Sequence, residues 1–290
     1  MTSSIASQLA AAPISWGVCE AENWGFQLSP ERVFQEMKDL GIKATEFGPR
    51  GFLPIDPQPR AEMLRRFALT AIGGFFPSVL HQEGQDPLPA IEDELDAFEA
   101  AGATVLVISA DSGAVSYDEK QELTDAQWKV FGANLEEAIK RAADRGIRAV
   151  LHPHVGTMIE SAAAVRRLLN DTGADICLDT GHLLIGGTDP LELVREFASR
   201  VGHAHLKDVN ADLARQVGRG ERGFTDGVKA GMFVPLGQGD CRIAEIVAEL
   251  QTVKYAGWYV MEQDTILSAE PEGEGPAGDV RASVDFLLGL

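Results

Sequence analysis

Five of the six histidines in this 290-residue sequence fall in three short clusters, His152-Pro153-His154, Asp179-Thr180-Gly181-His182 and His203-Ala204-His205. A fourth cluster, Glu262-Gln263-Asp264, is acidic, and each of the four closes an apolar run: AVLH, ICLD, GHAH and YVME. A divalent ion needs neutral imidazoles and ionised carboxylates converging to within about 2.0–2.4 Å of one point. One ligand per cluster gives His152, Asp179, His205 and Glu262. That mixed nitrogen and oxygen set suits Mn²⁺ or Co²⁺ first, with Mg²⁺, Fe²⁺ or Zn²⁺ as alternatives, and it leaves positions open for substrate oxygens. A single strand-end His or Asp is ordinarily a satisfied hydrogen-bonding residue, but four such ends in one chain are hard to explain as packing.

Other polar residues beside these clusters admit two readings each. His154 and His203 share strand parity with His152 and His205, so either can replace its neighbour as ligand or sit one layer away. His203 reads better as an interior residue bonded to a neighbour, and His154, further out, as a substrate contact or acid. His182 either serves in catalysis, orienting a water, or supports a ligand. Lys207 near a metal would have a depressed pKa, which suits proton donation to a leaving hydroxyl; its plainer role is a salt bridge to Asp208 or another carboxylate. Glu46, in ATEFG, accepts a substrate hydroxyl or pairs with Arg50. Trp16 stacks on a sugar ring or plugs the interior.

The elements that must position these groups are legible as an alternation. Eight short strand candidates, API, GIKATEFG, LTAIGGFFP, ATVLVISA, IRAVLHPH, DICLDTG, VGHAHLK and GWYVMEQD, alternate with stretches of helical period. Those stretches cover residues 30–40, 86–101, 118–145, 158–170, 189–199, 241–251 and 278–290. Strict alternation implies parallel pairing, and eight units imply closure into an α/β (β/α)8 TIM barrel over a single domain, 1–290. The clusters then lie at the carboxyl ends of strands five to eight, the catalytic face of such a barrel. Residues 207–240 form a long seventh βα connection, expected to act as a lid or substrate wall.

Composition narrows the partners. With 44 acidic against 25 basic side chains the formal charge is −19, which repels polyanions, so nucleic acid is not an expected partner. GGFF and GQGD lack the spacing of phosphate loops, there is no GxSxG elbow, and the three cysteines form no CxxC pair. A small neutral substrate is favoured. No basic residue precedes the early Ala-rich stretch and no long uncharged apolar run occurs, so a membrane is not expected and a cytoplasmic location is. A homo-oligomer is left open.

The motifs LHPHVGTMIES, CLDTGHLLIGGTDP, HAHLKDV and WYVMEQD, with APISWG and TEFG as weaker support, resemble the xylose-isomerase-like barrel superfamily of sugar isomerases and epimerases, most closely its inosose dehydratase branch. The resemblance covers nearly the whole chain. It implies a ligand after each of strands five to eight, here His152, Asp179, His205 and Glu262. His152 departs from the family pattern, where Glu is usual, and this removes one of the two carboxylates that epimerases use to shuttle a proton. The resemblance therefore implies a lyase, a metal-dependent dehydratase acting on a cyclic polyhydroxy ketone such as 2-keto-myo-inositol. Glu262 would be the base and Lys207, His154 or His182 the acid, with Trp16, Glu46, His154 and Lys207 around the substrate. A keto-sugar isomerase or epimerase, a 3-keto-glycoside eliminase, and a non-catalytic polyol-binding protein are the competing readings.

Overall fold

The computed structural model describes residues 5–290 except Val115, so Met1 to Ser4 and Val115 of the expected 1–290 domain lie outside the described residues. Among the described residues ten strands form: β1 (Leu9–Ala11), β2 (Ala44–Glu46), β3 (Thr70–Ser78), β4 (Val105–Ala110), β5 (Arg148–His152), β6 (Ile176–Asp179), β7 (Val201–Leu206), β8 (Asp208–Val209), β9 (Phe233–Val234) and β10 (Tyr259–Met261). Eight of them close a parallel barrel in the order β1-β10-β7-β6-β5-β4-β3-β2, and β8 and β9 pair as a small antiparallel ribbon beside it. Period-two alternation sorts the barrel side chains. Leu151, Leu178, Ala204, Leu206, Tyr259 and Met261 face outward into the main core beneath the helices, whereas Val150 and Cys177 join a separate interior cluster and Val260 another.

The outer helices are α1 (Pro30–Asp39), α2 (Pro57–Arg66), α3 (Leu88–Ala101), α4 (Asp125–Asp144), α5 (Ala162–Asp171), α6 (Thr180–Ile185), α7 (Pro190–Phe197), α8 (Ala211–Gly218), α9 (Phe224–Lys229), α10 (Ile243–Thr252) and α11 (Ala277–Leu288). Caps set several starts. Thr124 and Gln127 form a reciprocal capping box, so α4 begins at Asp125 and not at 118; Ser161 accepts from Ala164 N and starts α5 at Ala162 and not at 158. The first strand lies at Leu9–Ala11, ahead of the expected API, because Pro13 opens a 3₁₀ turn through Trp16. Helix α2 was not expected. Its sequence, PQPRAEMLRR, is rich in Pro and charge and buries only Arg60, Ala61 and Leu64, too narrow a stripe for an apolar period to register. Among the described residues no helix is long and apolar enough to cross a membrane.

The connection after β7 is built, not bare: it carries β8, α8, α9 and β9. Its keystone is Asp208. One carboxylate oxygen accepts from Gly237 N (2.9 Å) and Gly239 N (3.0 Å), the other from Cys241 N (2.9 Å) and Val209 N (3.1 Å). A Cβ at Gly239 would stand 2.4 Å from that carboxylate, which explains the glycines of LGQGD as a close-fitting anion cradle and not a phosphate loop. Since hydrogen bonds to a buried charge contribute about 1.5–3 kcal/mol each, Asp208→Ala should cost on the order of 3 kcal/mol or more in urea-induced unfolding. A loss under about 1 kcal/mol would contradict this account of the loop.

Candidate metal centre

The four proposed ligands end four adjacent strands with side chains turned into the barrel. Register holds them level: Ser109 pairs with His152, Asp179 with His205, and Glu262 N donates to Leu206 O at 3.0 Å. All four are buried. Asp179 is also the cap of α6, its Oδ1 accepting from His182 N (2.8 Å), which fixes the carboxylate and leaves Oδ2 for the interior.

Three of the four donors, those of Asp179, His205 and Glu262, lie close enough together for a single ion. Donors about 2.1 Å from one ion and about 90° apart lie about 3.0 Å from each other. His152 Nε2 is 3.1 Å from Asp179 Oδ2, and His205 Nδ1 is 3.4 Å from Glu262 Oε2 and 3.8 Å from Asp179 Oδ2. Asp179, His205 and Glu262 form one compact donor group; His152 adjoins it through Asp179 and shares a second group with His205 and Cys177.

Glu46 decides which nitrogen of His205 is available. Its Oε1 accepts from His205 Nε2 (2.9 Å) and from His203 Nε2 (2.7 Å), so both imidazoles carry their proton on Nε2. Burial opposes the charge on Glu46, but His205 and His203 together hold it below the usual carboxylate range. His205 Nδ1 therefore faces two carboxylates and has no hydrogen-bond partner, an arrangement that either a proton or a divalent ion on Nδ1 would satisfy. Without a metal a proton takes the place: burial disfavours it, yet Cys177, Glu262 and Glu46 push the His205 pKa well up. Burial pushes His152 down to about 4, leaving it a neutral donor near pH 7.

Lys207, one residue past β7, points into the same cluster. Its Nζ lies 2.5 Å from Asp264 Oδ1, 3.1 Å from Glu262 Oε2, 3.7 Å from Asp179 Oδ2 and 3.1 Å from His182 Nε2. Burial opposes the ammonium, but in the absence of a metal Asp264, Asp179 and Glu262 outweigh it and raise its pKa. Its partners are Asp264 and Glu262; Asp208 is engaged in the loop. Burial also lifts Glu262, against the pull of His205 and Lys207, to about 7.

A cavity opens above this cluster, lined by Glu46, His152, His154, His205, Lys207, Glu262 and Asp264, with Trp24, Phe75 and Tyr117 among its apolar walls. Expectations for four residues need correction in whole or in part. Trp16 is sealed in the core, its indole donating to Glu36 Oε2 (2.8 Å), so it cannot stack on a ligand; Trp24 is the indole at the cavity. Glu46 serves two histidines, with no bond to Arg50. His182 stands behind His154, with ring centroids 3.7 Å apart, and does not line the cavity; it braces Lys207. His154 does line it, but Nδ1 donates to Val155 O (2.7 Å) and burial lowers its pKa, so its Nε2 is an acceptor and not an acid. His203 takes the interior, hydrogen-bonded place expected of it. Asp264, Trp24, Phe75 and Tyr117 were missed. Asp264 could have been found, being two residues beyond Glu262 and so on the same face; the aromatic walls carry no signal in the sequence.

A family model described as "Xylose isomerase-like TIM barrel" matches residues 34–289. The chain is 30% identical over 268 residues to an inosose dehydratase of Lacticaseibacillus casei, covering 89% of each chain. It is also 30% identical over 275 residues to an inosose dehydratase of Geobacillus kaustophilus (strain HTA426), covering 89% of this chain and 87% of that one. In fold it is similar to apo 3-keto-D-glucoside 4-epimerase from E. coli, with a TM-score of 0.66 and 17% identity over 98% of this chain and 99% of the other.

Two outcomes follow from the geometry. Glu46→Gln should weaken Mn²⁺ or Co²⁺ binding about 10–100-fold in a calorimetric titration, and unchanged affinity would remove Glu46 from its supporting role. The second concerns pH. Glu262 has a folded pKa of about 7 against an ordinary 4.5, so between these values the metal-free fold holds a proton that the unfolded chain lacks, and its contribution to stability falls as pH rises through that window. A divalent ion replaces that proton. The metal-induced rise in Tm should thus be larger at pH 8 than at pH 5.5, and an equal or smaller rise at pH 8 would contradict the ligand set.

Proposed function

The chain belongs to the xylose isomerase-like TIM barrel family, and from that premise we propose that it is a divalent-metal-dependent lyase that removes water from a small, neutral, cyclic polyhydroxy ketone such as 2-keto-myo-inositol. The similarity to inosose dehydratases over 89% of the chain supports the reaction class. The observation that carries the reading is the pairing, in one cavity, of a single carboxyl near neutrality, Glu262, with a protonated amine, Lys207, 3.1 Å away. Epimerisation needs bases on two faces of the substrate. Here the place of a second carboxylate is taken by His152, which is neutral and bonded to Asp179, while Glu46 is committed to two histidines.

His152 Nε2, Asp179 Oδ2, His205 Nδ1 and Glu262 would hold the ion, which when bound supplies Lewis acidity that polarises the ketone and acidifies the adjacent C–H. Glu262, the carboxylate that lines the cavity beside Lys207, removes that proton. The Lys207 ammonium, fixed by Asp264 and His182, delivers a proton to the β-hydroxyl as it leaves. His154 Nε2 accepts from a substrate hydroxyl, and Trp24, Phe75 and Tyr117 keep bulk water away. Lys207 is the only Lys or Arg among the described residues lining this cavity, and carboxylates offset it, which favours an uncharged ligand.

Incubating the metal-loaded protein with 2-keto-myo-inositol should give loss of one water by mass, and EDTA should stop it. Glu262→Gln should lower kcat by about 10²–10⁴ with an unchanged folding transition. An isomer formed without loss of water would assign the site to epimerisation, and near-normal dehydration by Glu262→Gln would reject Glu262 as the base.

A further inference from the structure

A second cavity adjoins the first and shares Glu20, Gly48, Pro49 and Phe75 with it. Its further walls come from the loop after β2, from β3 and from α2 and α3, and include Arg50, Phe76, Arg60 and Glu94. The polar groups are not equivalent. Arg60 is buried and spent: its guanidinium donates to Glu94 Oε1 (2.6 Å), Pro54 O (3.0 Å) and Ile55 O (3.3 Å). Arg50 has no hydrogen bond or ion pair among the described residues, although it lines the cavity. Glu20 sits where the two spaces meet and accepts from Tyr117 on one carboxylate oxygen (2.8 Å) and from the Cys19 thiol on the other (3.8 Å). The second space thus presents an exposed, unpaired guanidinium and an exposed carboxylate beside aromatic faces.

We propose that this second cavity is a subsite for a neutral polyhydroxylated substituent, so that the chain accepts a ring bearing a glycosyl group and not only the bare polyol. Charge balance selects the class. Two arginines and two glutamates line the space, Arg60 being paired with Glu94, so an anionic substituent would meet as much repulsion as attraction. Hydroxyls, in contrast, can donate to Glu20 and accept from Arg50, while the apolar face of a sugar lies on Phe75 or Phe76. The two spaces adjoin and share a wall, as a ring and a substituent linked to it require. The proposal rests on the reading that the first cavity takes a polyol ring.

The test is calorimetric titration of the metal-loaded protein with myo-inositol and with galactinol, which carries the same ring with a galactosyl substituent. Galactinol should bind at least tenfold more tightly. Arg50→Ala and Phe76→Ala, both outside the catalytic cavity, should each remove most of that gain while leaving myo-inositol affinity within twofold. Equal affinity for the two probes, or a gain that survives both substitutions, overturns the subsite alone. Binding of neither probe overturns the polyol reading together with the subsite.

Discussion

Glu46, Asp179, Glu262 and Asp264 are buried within one barrel mouth, and each buried carboxylate costs several kcal/mol unless positive charge or donors are set beside it. The chain answers that cost residue by residue. Glu46 takes two imidazole N–H groups, Asp179 takes a helix N-terminus and His152, and Asp264 takes the ammonium of Lys207. Glu262 is left with the least. It faces a lone pair of His205 and shares Lys207 with Asp264, and burial carries its pKa toward neutrality. One shortfall of charge therefore raises the Glu262 pKa and leaves the cluster able to take further positive charge.

The segment after β7 connects this cluster to solvent. Asp208 gathers four backbone N–H groups and so folds the chain back over the barrel mouth, where Phe224 and Phe233 reach His182. Phe224 also contacts Tyr117 and Trp24, which joins the loops after β1, β4 and β7 into a common aromatic wall. The same wall packs against His154 and limits the water that reaches Lys207.

The barrel and its donor set were legible because both follow from short-range rules. Strand parity alone places His152, Asp179, His205 and Glu262 on the inward face, and alternation of strand and helix closes the sheet. Roles that depend on contacts across the barrel were not legible. Glu46 and His203 are 157 positions apart, so nothing in TEFG says that its carboxylate serves two histidines and not Arg50. Trp16 illustrates the converse. It lies at the right distance after a strand, but the 3₁₀ turn begun by Pro13 rotates its indole toward Glu36 on α1. The charge state of Lys207 likewise depends on Asp264, whose partnership only the folded chain reveals.

The central claim is that four strand-end donors share one divalent ion. Crystals of the protein soaked in Mn²⁺ and measured at an anomalous wavelength test it directly. The account predicts one strong peak about 2.0–2.4 Å from His152 Nε2, Asp179 Oδ2, His205 Nδ1 and a Glu262 carboxylate oxygen. A peak that excludes His205 Nδ1, or no peak in the barrel while Lys207 fills the space between Asp179 and Glu262, would contradict it.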